Sequence, residues 1–211
     1  MAEEITFYTN PMSRGRIARW MLEETGIPYR TEYLDFGTTM KADDYLSVNP
    51  MGKVPSIKHG DTIVTECAAI CAYLAETFPQ TGLAPKPEER GDYYRWMFFA
   101  AGPLEASVTN RALGFEIPPE RLRMAGCGGF GDVMNTLEYA VSGSPYITGE
   151  RFTAADVYVG SHIGWGLGFG SIEKRQAFVD YFERISKRDA YKRANAKDDE
   201  AGKAMQGARS S

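Results

Sequence analysis

The sequence predicts an α/β domain followed by an all-α domain along its 211 residues. Three observations predict this order. Strand-like and helix-like segments alternate up to residue 79, only helical patterns follow, and residues 80–87 (QTGLAPKP) between them are rich in proline and glycine. We therefore expect an N-terminal domain over 1–79, a linker over 80–87 and a helical domain over 88–211. The polar tail from about residue 197 is expected to fray.

The first elements form a β-α-β unit. Residues 4–8 (EITFY) alternate apolar and polar side chains, as a short strand does. Residues 14–25 have a helical pattern that Gly26 ends, since glycine readily takes the left-handed conformation of a helix end. Residues 29–34 indicate the next strand. A strand, a helix and a second strand with a short return predict parallel pairing.

The rest of the N-terminal domain is predicted as a short helix, a hairpin and a longer helix. The short helix covers residues 42–47, and the hairpin strands cover 54–58 and 62–65, separated by a His-Gly-Asp turn. Residues 67–78 form the longer helix, because apolar side chains recur in it at intervals of four.

Beyond residue 87 we expect helices alone. The predicted helices cover residues 90–113, 119–141, 154–167 and 174–187, with a short one after Asp189. Gly102-Pro103 should kink the first of them. Thr153 and Asp156 have the spacing of a capping box, which we interpret as structural.

Composition excludes several classes of protein. The chain has 24 Lys and Arg against 28 Asp and Glu, with no basic block, so we expect no nucleic-acid or membrane partner. No segment approaches the ~20 apolar residues of a membrane span. Two histidines and three cysteines do not fit an ordinary zinc site, and we expect no metal. An odd cysteine count and the lack of a signal-peptide pattern favour a cytoplasmic protein.

Pro55, at the start of a predicted strand, has two interpretations. A cis bond after Val54 would turn the Val54 N–H and C=O outward, where an extended peptide ligand can pair with them. A trans proline at a sheet edge is the alternative, and the rarity of cis bonds favours it. Residues elsewhere in the chain are needed to decide between them.

Four segments together resemble the cytosolic glutathione transferases. They are YTNPMSRGRIARWMLEETGIPY (8–29), NPMGKVPSI (49–57), TECAAICAYLAETFP (65–79) and FTAADVYVG (152–160). The resemblance implies a thioredoxin-like domain joined to a helical bundle, and usually a homodimer. It also implies a detoxification enzyme that uses glutathione as co-substrate and helps the glutathione thiolate attack a small hydrophobic electrophile.

The resemblance assigns the glutathione-binding residues. Val54, next to cis-Pro55, would pair with the cysteinyl backbone, and Glu66 would hold the ammonium group. The helix that opens at Glu66-Cys67 would receive the γ-glutamyl carboxylate at its N-terminus. Lys53 would pair with the glycine carboxylate, and Lys41 is a further candidate. Each charged residue also has a purely structural interpretation. Glu66 would then be an ordinary acid at a helix start, and Lys53 and Lys41 would be ordinary exposed lysines.

Cys67 departs from the commonest family pattern, which has serine there. A thiol is a poorer hydrogen-bond donor than a hydroxyl, although the backbone N–H of this position remains. A cysteine at a helix start can also be redox-sensitive. With Cys71 four residues later, a buried structural pair is the alternative interpretation.

The family places the group that stabilises the thiolate in the first loop or at the start of the first helix. Ser13 is our first choice, because it immediately precedes the helical run. Ser13 is equally well suited to be a helix N-cap. The other candidates are Tyr8, Thr9 and Asn10.

The leading function is therefore that of a glutathione S-transferase. A glutathione-dependent disulfide reductase is the second enzymatic possibility, and it would have to use bound glutathione because no Cys-x-x-Cys motif is present. A non-catalytic ligand-binding protein on the same scaffold is the third.

Overall fold

The structure, a computed structural model, describes residues 4–210. These residues form two compact units. One contains the chain up to Thr81 together with the residues from Arg188 onward, and the other is Gly82–Lys187. In the described residues no helix is long and apolar enough to cross a membrane.

The first unit is built on a four-stranded mixed sheet. Its strands are β1 (Ile5–Thr9), β2 (Tyr29–Tyr33), β3 (Ser56–His59) and β4 (Thr62–Thr65), in the order β2-β1-β3-β4. β1 pairs with β2 in parallel, and β3 is antiparallel to both β1 and β4. This is the predicted thioredoxin-like arrangement, and the predicted hairpin is β3-β4.

Three helices complete the β-sheet part of this unit: α1 (Gly15–Thr25), α2 (Asp43–Leu46) and α3 (Cys67–Thr77). α1 and α3 pack against each other through buried apolar side chains, which include Ile17, Met21, Ile70 and Leu74. Gly26 has a φ of 66° and its N–H bonds to the Leu22 carbonyl at 3.2 Å, so it ends α1 as predicted.

The second unit is helical. It contains α4 (Arg90–Phe99), α5 (Glu105–Ala112), α6 (Phe130–Ser142), α7 (Ala154–Phe169) and α8 (Gln176–Ser186). The kink predicted at Gly102-Pro103 is a π-helical turn, Ala100–Leu104, which joins α4 to α5. The helix predicted over 119–141 is wrong in its first half, where a 3₁₀ helix (Pro119–Met124) is followed by a glycine-rich loop.

The capping box at the start of α7 is present, and Asp156 is its centre. Its Oδ2 accepts hydrogen bonds from the Thr153 N–H at 2.8 Å and the Thr153 hydroxyl at 3.1 Å. Its Oδ1 accepts from the Ile147 N–H at 2.8 Å and the Tyr181 hydroxyl at 2.7 Å. Burial raises the pKa of Asp156 to about 6, although all of these hydrogen bonds act to lower it.

The last helix, α9 (Asp189–Ser210), differs most from expectation. It runs for 22 residues instead of ending early, and it packs along α1 in the first unit. Arg19 and Asp198 form an ion pair at 2.7 Å, with side chains only 2% and 1% exposed. The expectation that the tail frays from about 197 is therefore wrong. The residues from 188 onward, which we assigned to the helical domain, pack instead with the sheet domain. Pairs of opposite charge stabilise this contact, and the polar sequence has no apolar pattern that would predict it.

Candidate functional site

Three segments singled out by the sequence lie near one another in the first unit. β1 ends where β3 begins, since Tyr8 is opposite Ser56 in the antiparallel register. The loop after β1 therefore lies beside Val54-Pro55, which precedes β3. The start of α3 joins them, because the Cys67 thiol donates to the Arg14 backbone carbonyl at 3.5 Å.

The peptide bond between Val54 and Pro55 is cis, as the resemblance implies. Val54 is half-buried, and within residues 4–210 its backbone N–H and C=O make no hydrogen bond. The preceding residue is held firmly, since the Lys53 carbonyl accepts from the Tyr45 hydroxyl at 2.6 Å and the Asn49 amide at 2.7 Å. Val54 thus presents a fixed, unpaired stretch of backbone.

The start of α3 has the features of an anion site. Glu66 is the N-cap residue, and its side chain makes no capping hydrogen bond to the first turn of the helix. The positive end of the helix dipole therefore faces outward at this point. Glu66 itself has φ 68° and ψ 123°, a conformation that costs a non-glycine residue about 1–3 kcal/mol and that concentrates at functional sites.

Charged side chains flank this backbone. Lys53 and Glu66 are both exposed, and neither forms an ion pair or side-chain hydrogen bond within the described part of the chain. Lys41 differs, because its ammonium donates to the Met51 carbonyl at 2.9 Å. Lys53 is therefore the lysine of the two whose side chain is available to pair with a ligand carboxylate.

The two cysteines of α3 are buried. Cys71 is completely enclosed, and burial raises its pKa well above the usual value, with Cys67 contributing in the same direction. The Cys67 thiol is engaged with the start of α1, as described above. This geometry supports the structural interpretation of the cysteine pair, and it leaves the backbone of Cys67 as the part that can meet a ligand.

Ser13 and Asn10 hold the loop between β1 and α1. The Ser13 hydroxyl donates to the Asn10 carbonyl at 2.6 Å and accepts from the Gly15 N–H at 2.9 Å, so it bonds to the first residue of α1, although Arg14 is the N-cap residue of that helix. The Asn10 amide donates to the Leu34 carbonyl at 2.7 Å, and its oxygen accepts from the Met12 N–H at 2.9 Å. Asn10 is only 2% exposed, whereas Ser13 is half-buried.

The remaining two candidates point in opposite directions. Thr9 is fully buried and its hydroxyl has no hydrogen-bond partner in the described chain. It lies against Gly15, where a Cβ atom would be 1.9 Å from the hydroxyl oxygen. Tyr8 lies on the other face of the sheet, with its ring 5.5 Å from that of Tyr45. Ser13 and Tyr8 are therefore the candidates with side chains that solvent reaches.

Three residues outside the predicted set support this site from behind. Tyr45 and Asn49 fix the Lys53 carbonyl, and Gly15 allows α1 to approach Thr9. Asn49 precedes a proline, and this dipeptide is a turn signal from which Asn49 could have been identified. No pattern in the sequence pointed to Tyr45 or to the close approach at Gly15.

The helical unit contains a separate cavity of about 470 Å³. Polar side chains of α5 line it together with aromatic side chains of the following loop and of the start of α6, among them Ser107, Arg111, Phe115 and Phe130. The Arg111 guanidinium lies 4.1 Å from the centre of the Phe130 ring, a cation–π contact. The cavity thus combines polar and aromatic side chains in its lining.

Comparison with known proteins agrees with this geometry. The family model for the glutathione S-transferase N-terminal domain matches residues 12–77. Glutathione S-transferase F10 of Arabidopsis thaliana is 25% identical over 92% of this chain and 97% of its own length. A glutathione transferase structure from Methylococcus capsulatus is 27% identical, with a TM-score of 0.75, and covers 92% of this chain and 98% of its own. A theta-class enzyme from Xanthomonas axonopodis pv. citri, solved with glutathione bound, is 25% identical, with a TM-score of 0.73 and coverages of 92% and 97%.

The family model covers the end of the loop after β1, α1, the strands β2 to β4 and α3, and the relatives extend over nearly the whole chain. The chain is similar to glutathione S-transferases over nearly its whole length, and its N-terminal unit matches the model of their N-terminal domain.

Proposed function

We propose that this protein binds glutathione in its N-terminal unit, stabilises the thiolate and transfers it to a hydrophobic electrophile. The observation that carries the proposal is the unpaired backbone of Val54 between two unengaged side chains of opposite charge, Lys53 and Glu66. Glutathione is an extended peptide with carboxylates at both ends and one ammonium group, so it complements this arrangement. The theta-class structure with glutathione bound supports the same assignment.

Each part of glutathione has a proposed partner. The cysteinyl N–H and C=O pair with Val54, and the γ-glutamyl carboxylate meets the N-terminus of α3, including the backbone of Cys67. Glu66 accepts from the ammonium group, and Lys53 pairs with the glycine carboxylate. Pro55 contributes by its cis bond, which belongs to the turn that presents Val54.

Ser13 is the proposed donor to the sulfur. Lowering a thiol pKa from ~8.5 to ~6.5 requires ~2.7 kcal/mol of preferential stabilisation of the thiolate. The Ser13 hydroxyl can turn its proton from the Asn10 carbonyl to the sulfur while still accepting from the Gly15 N–H. Thr9 and Asn10 are too deeply buried for this role, and Tyr8 is the alternative donor.

The electrophile is proposed to bind in the cavity of the helical unit, beside Phe115 and Phe130. The thiolate sulfur supplies an electron pair to the electrophilic carbon and forms a C–S bond. For a substitution, the leaving group departs with the electron pair of its own bond to that carbon. The disulfide-reductase alternative would use bound glutathione itself, since Cys67 and Cys71 are both buried.

We also propose a homodimer in the cytoplasm. Large apolar side chains are exposed on α4, where Tyr94 is 41% and Phe98 71% exposed, and such side chains favour an interface. Light scattering after size-exclusion chromatography should give twice the chain mass. A monomer at working concentration would contradict this part of the proposal.

Conjugation of glutathione to a chlorodinitrobenzene tests the transferase activity. We expect the wild-type protein to catalyse the reaction, and Ser13→Ala to lower kcat by at least about tenfold while glutathione still binds. Tyr8→Phe is the matched control, which should retain its activity. A fully active Ser13→Ala with an inactive Tyr8→Phe would move the donor role to Tyr8. Glutathione binding without any turnover, across several electrophile classes, would leave the non-catalytic binding protein as the function.

A further inference from the structure

α9 reaches the loop that carries the proposed thiol donor. Gly202, on α9, is buried, and a Cβ atom there would lie 3.8 Å from the Cβ of Pro11. Pro11 is itself buried and lies between Asn10 and Ser13. The C-terminal helix therefore covers the middle of this loop as well as the side of α1.

Arg16 links the loop to α9 through a single side chain. Its Nε donates to the Pro11 carbonyl at 2.7 Å. Its two terminal nitrogens donate to Asp199 at 2.7 Å and to Asn195 at 3.3 Å, both on α9. A planar guanidinium can bond in these three directions at once, which fixes the carbonyl relative to the helix.

The other side-chain links between α1 and α9 do not include the loop. Arg19 pairs with Asp198, and Glu23 pairs with Arg193 at 3.1 Å and with Lys197. These contacts hold the helices together further along α1. The Arg16 cluster, in contrast, connects α9 to the residues between β1 and α1.

We propose that Arg16 is a positioning residue that uses α9 to set the conformation of residues 10–13, and through it the pKa of the bound glutathione thiol. The proposal rests on the proposed function. The Ser13 backbone N–H bonds to the Asn10 carbonyl at 3.0 Å, so a displacement of Pro11 moves Ser13 and changes the position of its hydroxyl. Hydrogen bonds weaken steeply as their angle departs from linear, and a small shift of the donor therefore weakens its bond to the sulfur.

Three variants separate this role from the general packing of α9. Arg16→Gln removes the hydrogen bonds of the guanidinium to the Pro11 carbonyl and to α9. Asp199→Ala removes the carboxylate that pairs with Arg16 on α9, while the bond from Arg16 to the Pro11 carbonyl stays. Arg193→Gln is the matched control. Like Arg16, Arg193 is an arginine that pairs with a carboxylate across α1 and α9, in its case that of a glutamate, but it does not contact the loop. The exposed fractions are 24% for Arg16, 58% for Asp199 and 53% for Arg193, so all three variants should fold.

Amide hydrogen exchange of Met12 and Ser13 in the ligand-free protein tests the link without glutathione. Both amides bond within the loop, to the Asn10 side chain and the Asn10 carbonyl. We expect exchange to accelerate about five- to tenfold in Arg16→Gln, less in Asp199→Ala, and not in Arg193→Gln. Unchanged exchange in Arg16→Gln, or equal acceleration in Arg193→Gln, would overturn the proposal.

The functional consequence is measured on the complex with glutathione, by the ultraviolet absorbance of the thiolate against pH. We expect the thiol pKa to rise by about half a unit to one unit in Arg16→Gln, with kcat lowered about three- to tenfold and the KM for glutathione changed less than about twofold. Arg16→Lys should restore part of the loss, since an ammonium group can still pair with Asp199. A KM effect alone would overturn the positioning role. An unshifted thiol pKa in the wild-type protein would instead contradict the proposed function, and the exchange data would still decide the link.

Discussion

Replacing Asp156 by alanine tests how a buried capping carboxylate stabilises the helical unit. The variant removes the acceptor of four hydrogen bonds and leaves the buried Ile147 N–H and Tyr181 hydroxyl unpaired. Each unpaired donor costs about 2 kcal/mol, and the lost cap costs about 1 kcal/mol.

The same variant also removes an unfavourable contribution. Burial raises the pKa of Asp156 from 3.8 to about 6, which corresponds to about 3 kcal/mol against the ionised form at pH 7. The net loss of unfolding free energy should therefore be about 2 kcal/mol at pH 7. Between the two pKa values the folded state binds more protons than the unfolded state, so this group's contribution to wild-type stability decreases as pH rises through that range.

Urea denaturation at two pH values measures both effects. We expect the loss in Asp156→Ala to grow from about 2 kcal/mol at pH 7 to about 3 kcal/mol at pH 5, because the wild type gains stability on protonation and the variant does not. Asp132→Ala is the control, since Asp132 is an exposed acid in the first turn of α6, and it should cost less than about 1 kcal/mol at both values. A loss below about 0.5 kcal/mol at pH 7, or one that shrinks toward pH 5, would refute the reasoning.

Three further substitutions have expected outcomes. Glu66→Ala should weaken glutathione binding at least about tenfold by calorimetry, because it removes the acceptor for the ammonium group; unchanged affinity would return Glu66 to an ordinary helix-start acid. Asp198→Ala should lower the unfolding free energy by about 3–5 kcal/mol in urea, since it leaves a buried guanidinium unpaired, and a loss under about 1 kcal/mol would contradict this. Gly15→Ala should lower the melting temperature and the glutathione affinity, because the added methyl group would clash with the Thr9 hydroxyl. Gly91→Ala, with open space around it, should leave the melting temperature unchanged or raise it. A larger drop in melting temperature for Gly91→Ala than for Gly15→Ala would contradict this.

The N-terminal elements were predictable because their signals are local. Alternation of side chains along β1, the His-Gly-Asp turn between β3 and β4, and the glycine that ends α1 each act within a few residues. The type and order of the strands and α-helices from β1 to α3 were therefore correct, and strand ends shifted by a residue or two. The helix start at Cys67 was also located correctly.

The position of α9 was not predictable in the same way. Its sequence is polar, and a polar helix with little hydrophobic pattern suggests a solvated or frayed end. Stability comes from partners far along the chain, as in the pair of Arg19 and Asp198, which are separated by 179 residues. Single-sequence periodicity contains no information on which distant charge a residue meets.

The candidate site was predictable in part. Lys53, Val54, Pro55 and Glu66 were proposed through the resemblance, and the structure gives the cis bond that the frequency of proline isomers argued against. Tyr45 and Asn49, which hold the Lys53 carbonyl, were missed because each acts through a side chain folded back onto the backbone.

The central claim is that the site around Val54, Glu66 and Ser13 binds glutathione as a thiolate. Titrating the complex with pH while recording thiolate absorbance tests it most directly. The account predicts a thiol pKa about two units below the ~8.5 of a free thiol. Binding with an unshifted pKa would contradict thiolate stabilisation, and an absence of binding would contradict the assignment of the site itself.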